Sequence, residues 1–281
     1  MTGRIDSHQH FWRYSKTEYP WIPEGSPLHA TWLPGDLERI QKDLGVRGSI
    51  AVQARQCLEE NEMLLGLADQ HDSVLGVVGW IDLRSASVDK ALAKYAGHEK
   101  FVGVRHVAQD EPDDRFLVGR EFMRGVARLS GFSLRYDLLI YPKQLPAAIE
   151  LVRHFPDQPF VLDHCAKPLI AAGVMEPWAS QIKLLAGASN VFCKVSGLVT
   201  EANRTNWHAE QLHRYFEVIA EAFGPERLMW GSDWPVCLLA SNYQRWLETA
   251  EAWVKNWSGE QKEAFFGGNA RKFYGLAQCN R

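Results

Sequence analysis

The chain has 281 residues, 31 Lys and Arg against 34 Asp and Glu, and 46% hydrophobic residues. That composition excludes disorder and collagen-like repetition and describes a globular protein. A formal charge of -3 offers no basic field for a nucleic-acid backbone or an anionic membrane surface, so the expected partner is a small polar ligand.

Eight short runs rich in β-branched residues alternate with longer amphipathic stretches. The strands are expected over Arg4 to His8, Ser49 to Ala54, Leu75 to Ile81, Val102 to Val107, Ser133 to Ile140, Phe160 to Asp163, Val191 to Val195 and Leu228 to Gly231. Helices are expected between them: Leu37 to Leu44 with Asp36 as its cap and Gly45 as its stop, Glu59 to His71, Leu145 to Phe155, Pro177 to Ala186, His208 to Phe223 and Tyr243 to Trp257. No Pro-, Gly- or Ser-rich linker divides them, and no Gly-rich nucleotide loop or Walker motif follows any strand. Eight βα units in this length predict an α/β fold, a single (β/α)₈ TIM barrel domain over residues 1–281.

The first ten residues contain Asp6, His8 and His10 where a signal peptide needs an apolar core, and no apolar run approaches the ~20 residues of a membrane span. A cytoplasmic protein is expected. Cys57, Cys165, Cys193, Cys237 and Cys279 are odd in number and form no Cys-x-x-Cys pair, which argues against a disulfide framework or a thiolate zinc site. Cys165 reads as a small buried side chain, with a nucleophile as the alternative.

A barrel places its chemistry at the C-terminal ends of its strands. His8 and His10 are two apart in a strand and project to one side, so they suit one metal ion or one substrate oxygen. His164 follows the sixth strand and Asp233 the eighth, and strands one and eight are neighbours in a closed barrel, so the four side chains should converge. Such a set is costly to bury without partners, which favours a site over packing.

These residues resemble a known family. His8-Gln9-His10, Asp163-His164 and Gly231-Ser232-Asp233-Trp234-Pro235 are similar to the amidohydrolase superfamily, of the amidohydrolase-2 type. Asp6 to Trp12, Gln53-Ala54-Arg55, Gly79-Trp80, Gly103 to His106, Lys194 to Leu198 and Trp230 to Val236 resemble its sugar-lactone hydrolase branch, that of L-fuconolactonase-like and L-rhamnonolactonase-like enzymes. The resemblance runs end to end. It implies a lactonase opening an aldonolactone, with decarboxylation or hydrolysis of an aromatic-acid lactone on the same barrel as the alternative. The fourth strand offers Arg105 and His106 in place of the lysine or glutamate that bridges two metals in some members, so a binuclear centre is not expected. Two readings of the cofactor stand: one divalent ion, zinc, on His8, His10, His164 and Asp233, or no metal.

Lactone hydrolysis needs a base for water, a donor for the carbonyl oxygen and a proton for the leaving alkoxide. Asp233 is the expected base, His8, His10 or Arg105 the carbonyl donor, and His164 the partner of the oxyanion or the leaving oxygen. Gln53, Arg55, Trp80, Trp32 and His106 are the expected substrate contacts, His106 with a backbone-bonded wall residue as its alternative. Asp137 and Lys194 read as a buried ion pair of the barrel wall, Lys167 as a solvated surface residue or a substrate contact, and Glu201 as a residue at the active end.

Overall fold

The computed structural model describes residues 3–277; Cys279 lies outside them. Eight strands, β1 (Arg4–Gln9), β2 (Val46–Val52), β3 (Val74–Gly79), β4 (Phe101–His106), β5 (Arg135–Leu138), β6 (Phe160–Leu162), β7 (Val191–Val195) and β8 (Leu228–Trp230), lie side by side in chain order. Every neighbouring pair is parallel. Around them run α1 (Pro34–Asp43), α2 (Leu58–Gln70), α3 (Val88–Ala96), α4 (Arg120–Leu129), α5 (Leu145–His154), α6 (Trp178–Ala186), the short α7 (Leu198–Glu201), α8 (Ala209–Phe223), α9 (Tyr243–Trp253), α10 (Gly259–Glu263) and α11 (Asn269–Tyr274). This is the expected (β/α)₈ barrel.

The circle closes with little ladder. Past the strand ends Gln9 bridges Trp234, the His10 N–H donates to the Trp234 carbonyl at 2.7 Å, and the Asp233 N–H donates to the His8 carbonyl at 2.8 Å. These bonds fix Asp233 beside His8 of β1 and His10 just past it.

Strand alternation sorts the core into two layers. On β2, Ile50 and Val52 join an interior cluster with Ile5, Val78, Val161 and Met229, whereas Ala51 between them packs toward the helices. Phe273 and Tyr274 of α11 close the interior cluster. Higher in the barrel the interior carries Arg105 of β4, Asp137 of β5 and Lys194 of β7, all buried.

Boundaries differ where backbone conformation outweighs side-chain pattern. β5 begins only at Arg135, because Ser133 is left-handed at φ 56° after the preceding turn. Asp36 is not the cap of α1. Pro34, whose ring presets helical φ, starts that helix three residues earlier than expected, and the Asp36 carboxylate accepts the Leu33 N–H at 3.1 Å from within the first turn. Gly45 is left-handed at φ 68° and ends the segment as expected. The last long helix stops at Trp253 and gives way to the shorter pieces that cap the barrel. Residues 10–33 form a long loop between β1 and α1 with a cluster of its own, Trp12, Tyr19, Ile22 and Leu28.

Candidate active site

The local folds that carry the site are unusual. After β6 the chain makes a left-handed turn without glycine, His164, Cys165, Ala166 and Lys167 having φ of 50°, 54°, 57° and 49°, and Asp233 after β8 has φ 55°. Such conformations cost about 1–2 kcal/mol for each non-glycine residue and gather at functional sites. Two glycines make room for the imidazoles. A Cβ on Gly231 would lie 2.9 Å from the His8 Cβ, and one on Gly197, itself at φ 66°, would lie 2.6 Å from His164 Nδ1.

Three imidazoles surround one carboxylate oxygen. Asp233 Oδ1 is 3.4 Å from His10 Nε2 and 3.9 Å from both His8 Nε2 and His164 Nε2, and His8 and His10 approach each other at 3.2 Å through their Nε2 atoms. A carbonyl only accepts, so His10 Nδ1 donates to the Val52 carbonyl at 2.8 Å, and Nε2 is the nitrogen turned toward Asp233. His164 Nδ1 is 2.9 Å from Ser196 Oγ. Burial pushes His164 down to about 4, so it is neutral near pH 7. Burial alone would raise the Asp233 carboxyl, but His164, the His10 hydrogen bond and His8 together hold it well below the usual carboxylate range.

Beneath this set lies a charged network that sequence reasoning divided into separate pieces. Asp163 faces His8 Nδ1 at 3.3 Å, accepts from Arg105 Nη1 at 3.0 Å, and lies 3.1 Å from Lys194 Nζ. Lys194 also pairs with Asp137, which accepts the Tyr274 hydroxyl at 2.8 Å. The expected Asp137–Lys194 pair is therefore present, and it adjoins His8 both directly, Lys194 Nζ lying 3.3 Å from His8 Nδ1, and through Asp163. Arg105 donates to the Gln53 carbonyl and, at 3.3 Å, toward His8 Nε2. His8 itself is flanked by cations, and its burial lowers its pKa far below the ordinary imidazole value.

A cavity of about 710 Å³ opens over this floor. His10, His164, Asp233, Arg105, Gln53 and Arg55 border it; His8 is one layer behind. Trp80, Trp32 and His106 do not border it. His106 stacks on Phe116, accepts the Trp80 indole N–H at 3.3 Å through Nδ1 and donates from Nε2 to Glu111 at 2.7 Å, a wall residue satisfied on both nitrogens, although by side chains and not by backbone. Trp32 packs edge-on against Trp234. The wall also contains Tyr141, Lys167, Glu201 and Arg204, and at the mouth Glu18 and the half-exposed Trp21. Most of these sit on loops, where no strand or helix period marks them, although Lys167 and Glu201 stand just past strand ends, the one available signal.

Comparison with known proteins gives the fold its family. The amidohydrolase family model matches residues 5–276. The chain belongs to the amidohydrolase family. It is 39% identical to the L-fucono-1,5-lactonase of Burkholderia multivorans, over 98% of this chain and 97% of that one, and 37% identical to the L-fucono-1,5-lactonase of Burkholderia ambifaria, over 98% and 96%. The crystal structure of an amidohydrolase from Burkholderia multivorans with bound zinc superposes with a TM-score of 0.94 at 39% identity, covering 98% of this chain and 99% of that one.

The donor set of this amidohydrolase fits a single small divalent cation. His8, His10 and Asp233 offer ligand atoms within 4.8 Å of one another, all buried. Asp163 behind His8 supplies the outer carboxylate that orients a ligating imidazole. Arg105 pairs with Asp163, and Lys194 with Asp137 and Asp163, so the two cations beneath the imidazoles are matched by carboxylates of their own. Arg105 already occupies one side of His8 Nε2 and competes for the same lone pair.

Proposed function

We propose that this amidohydrolase opens the ester of a neutral aldonolactone, with L-fucono-1,5-lactone as the first substrate to try. The observation that carries the reading is the convergence of Asp233 with three imidazoles on the floor of the cavity. The two lactonases at 37–39% identity across nearly the whole chain support it. The charges of the wall point to a neutral substrate. Arg55 is paired with Glu18 at 2.9 Å, Lys167 lies 4.0 Å from Glu201, and Arg105 is committed to Asp163. A polyhydroxylated ring finds donors and acceptors there, while a dicarboxylate would have to displace these pairs.

Asp233, ionised at working pH, takes a proton from the attacking water. Arg105 borders the cavity as a donor toward the lactone carbonyl, His10 holds its place beside Asp233, and His164 stands where the oxyanion forms. His8 acts from behind, held by Asp163 and Arg105. A divalent ion held by His8, His10, His164 and Asp233 would polarise the carbonyl and lower the pKa of water when bound.

A panel of L-fucono, L-rhamnono, L-galactono and D-arabinono lactones, followed by acid release before and after chelation with metal content assayed in parallel, tests the reading. Selective turnover above the spontaneous rate is expected. No turnover of any lactone, with or without zinc, would sink it.

A further inference from the structure

Ring opening leaves an alkoxide on the substrate, and the groups on the cavity floor are poorly placed to protonate it. His10 Nδ1 is held by the Val52 carbonyl, His164 is engaged by Ser196 through Nδ1 and faces Asp233 through Nε2, and an arginine does not give up its proton. Lys167 and Glu201 border the same cavity. Lys167 is not the solvated surface residue that one reading of the sequence makes it, and Glu201 stands at the active end as expected: their side chains are only 18% and 21% exposed, with Lys167 Nζ 4.0 Å from Glu201 Oε1. Lys167 Nζ also lies 5.4 Å from the Tyr141 ring centroid, a contact that holds the side chain against the cavity wall.

The backbone gives the second reason. Lys167 is the last residue of the left-handed turn that begins at His164, and a lysine gains nothing locally from that conformation. What the turn achieves is to bring His164 and Lys167, from adjoining positions, onto the wall of one cavity.

We propose that Lys167 is a catalytic residue that donates a proton to the departing ring oxygen, with Glu201 as the residue that positions it. The inference rests on the lactonase reading above. The water oxygen bonds to the carbonyl carbon while Asp233 takes its proton; the bond from that carbon to the ring oxygen then breaks, and the oxygen leaves with the proton of Lys167 Nζ. Asp233 then releases its proton and the Lys167 amine regains one through solvent, so one water is consumed and a hydroxy acid is formed. An alkylammonium is a stronger acid than an alcohol, so the transfer is downhill once the bond breaks.

A thiolate leaves without a proton, which makes leaving-group dependence the test. Lys167→Met, Lys167→Arg and Glu201→Gln are compared with the wild type on an aldono-1,5-lactone and on the matching 1,5-thiolactone. Lys167→Met is expected to lower kcat/KM on the oxygen lactone by about 10²–10⁴-fold, the usual size of an acid–base contribution, and on the thiolactone by less than about 10-fold. Lys167→Arg keeps charge and length but not the acid, and shows the same selective loss, which separates the proposal from a folding defect. Glu201→Gln gives a smaller loss with the same selectivity. Equal losses on both substrates, or none on either, would overturn the proposal; a wild type that turns over neither substrate overturns the lactonase reading itself.

Discussion

Asp233 occupies a conformation that few residues other than glycine, asparagine or aspartate adopt, and its carboxylate is enclosed by groups that favour its ionised form. Asn shares its shape and its tolerance of positive φ, so Asp233→Asn isolates the charge. The variant is expected to keep its fold and melting temperature within a few degrees while kcat falls about 10²–10⁴-fold, the range for loss of a general base. Unchanged turnover in a folded Asp233→Asn protein would remove Asp233 from the chemistry. Since its pKa is depressed in the fold, its ionised form is also the more stabilising one, and that contribution disappears as pH falls toward strong acid. The five side chains expected to carry chemistry, His8, His10, Arg105, His164 and Asp233, were legible because each stands at a strand end and titratable groups there need a reason to be buried. Trp80 and His106 follow the same positional rule, and Trp32 lies in the loop before the first helix, yet none of the three borders the cavity, because aromatic rings at such places serve packing as readily as binding.

At the level of elements, the turn after β6 and the loop after β7 act as one device. His164 is held in place by Ser196 Oγ, and Gly197, next to that serine, leaves the space its ring occupies. Gly197→Ala introduces a Cβ 2.6 Å from His164 Nδ1 at a position with φ 66°, so it strains the backbone and pushes the ring aside. The expected result is a stability loss of about 1–2 kcal/mol from the left-handed alanine together with a loss of activity larger than that destabilisation explains. Urea unfolding beside lactone kinetics checks both halves, and wild-type kinetics in the alanine variant would show that His164 does not need this space. The βα order was readable because parallel strands buried on both faces leave continuous apolar runs. The left-handed turn was not, since nothing in His164-Cys165-Ala166-Lys167 signals positive φ; its cost is carried by tertiary contacts such as the Trp178 indole N–H donated to the Cys165 carbonyl at 2.8 Å. Lys167 and Glu201 drew little weight in the sequence for the same reason, their meaning depending on how two loops face each other.

The barrel as a whole depends on its seam, where a buried carboxylate does much of what a strand ladder does elsewhere. Asp6 of β1 accepts from the Ser232 N–H at 2.8 Å, the Ser232 hydroxyl at 2.5 Å, the Tyr243 hydroxyl at 3.1 Å and the His8 N–H at 3.2 Å. Ser7 Oγ adds a bond to the Trp230 carbonyl at 2.7 Å. Burial raises Asp6 to about 6 even though the Ser232, His8 and Tyr243 donors each lower it. A carboxyl whose pKa is higher in the fold than in the unfolded chain binds protons more readily when folded, so its ionisation destabilises the fold progressively as pH rises from near 3.8 to about 6, and fully above that. Ser232→Ala removes one donor to the ionised form and raises the folded pKa further. The variant should therefore lose about 1–3 kcal/mol at pH 8, the cost of a buried group deprived of a partner, and a much smaller amount at pH 5. Because His8 and Asp233 hang on the two sides of this seam, turnover should fall with stability, whereas Ile182→Val on α6, remote from the seam and expected to cost about 0.5–1.5 kcal/mol, should leave kcat/KM alone. Urea midpoints at the two pH values with lactone kinetics alongside decide the matter: a deficit that is the same at pH 5 and pH 8 would mean that Ser232 packs the seam without supporting the Asp6 charge.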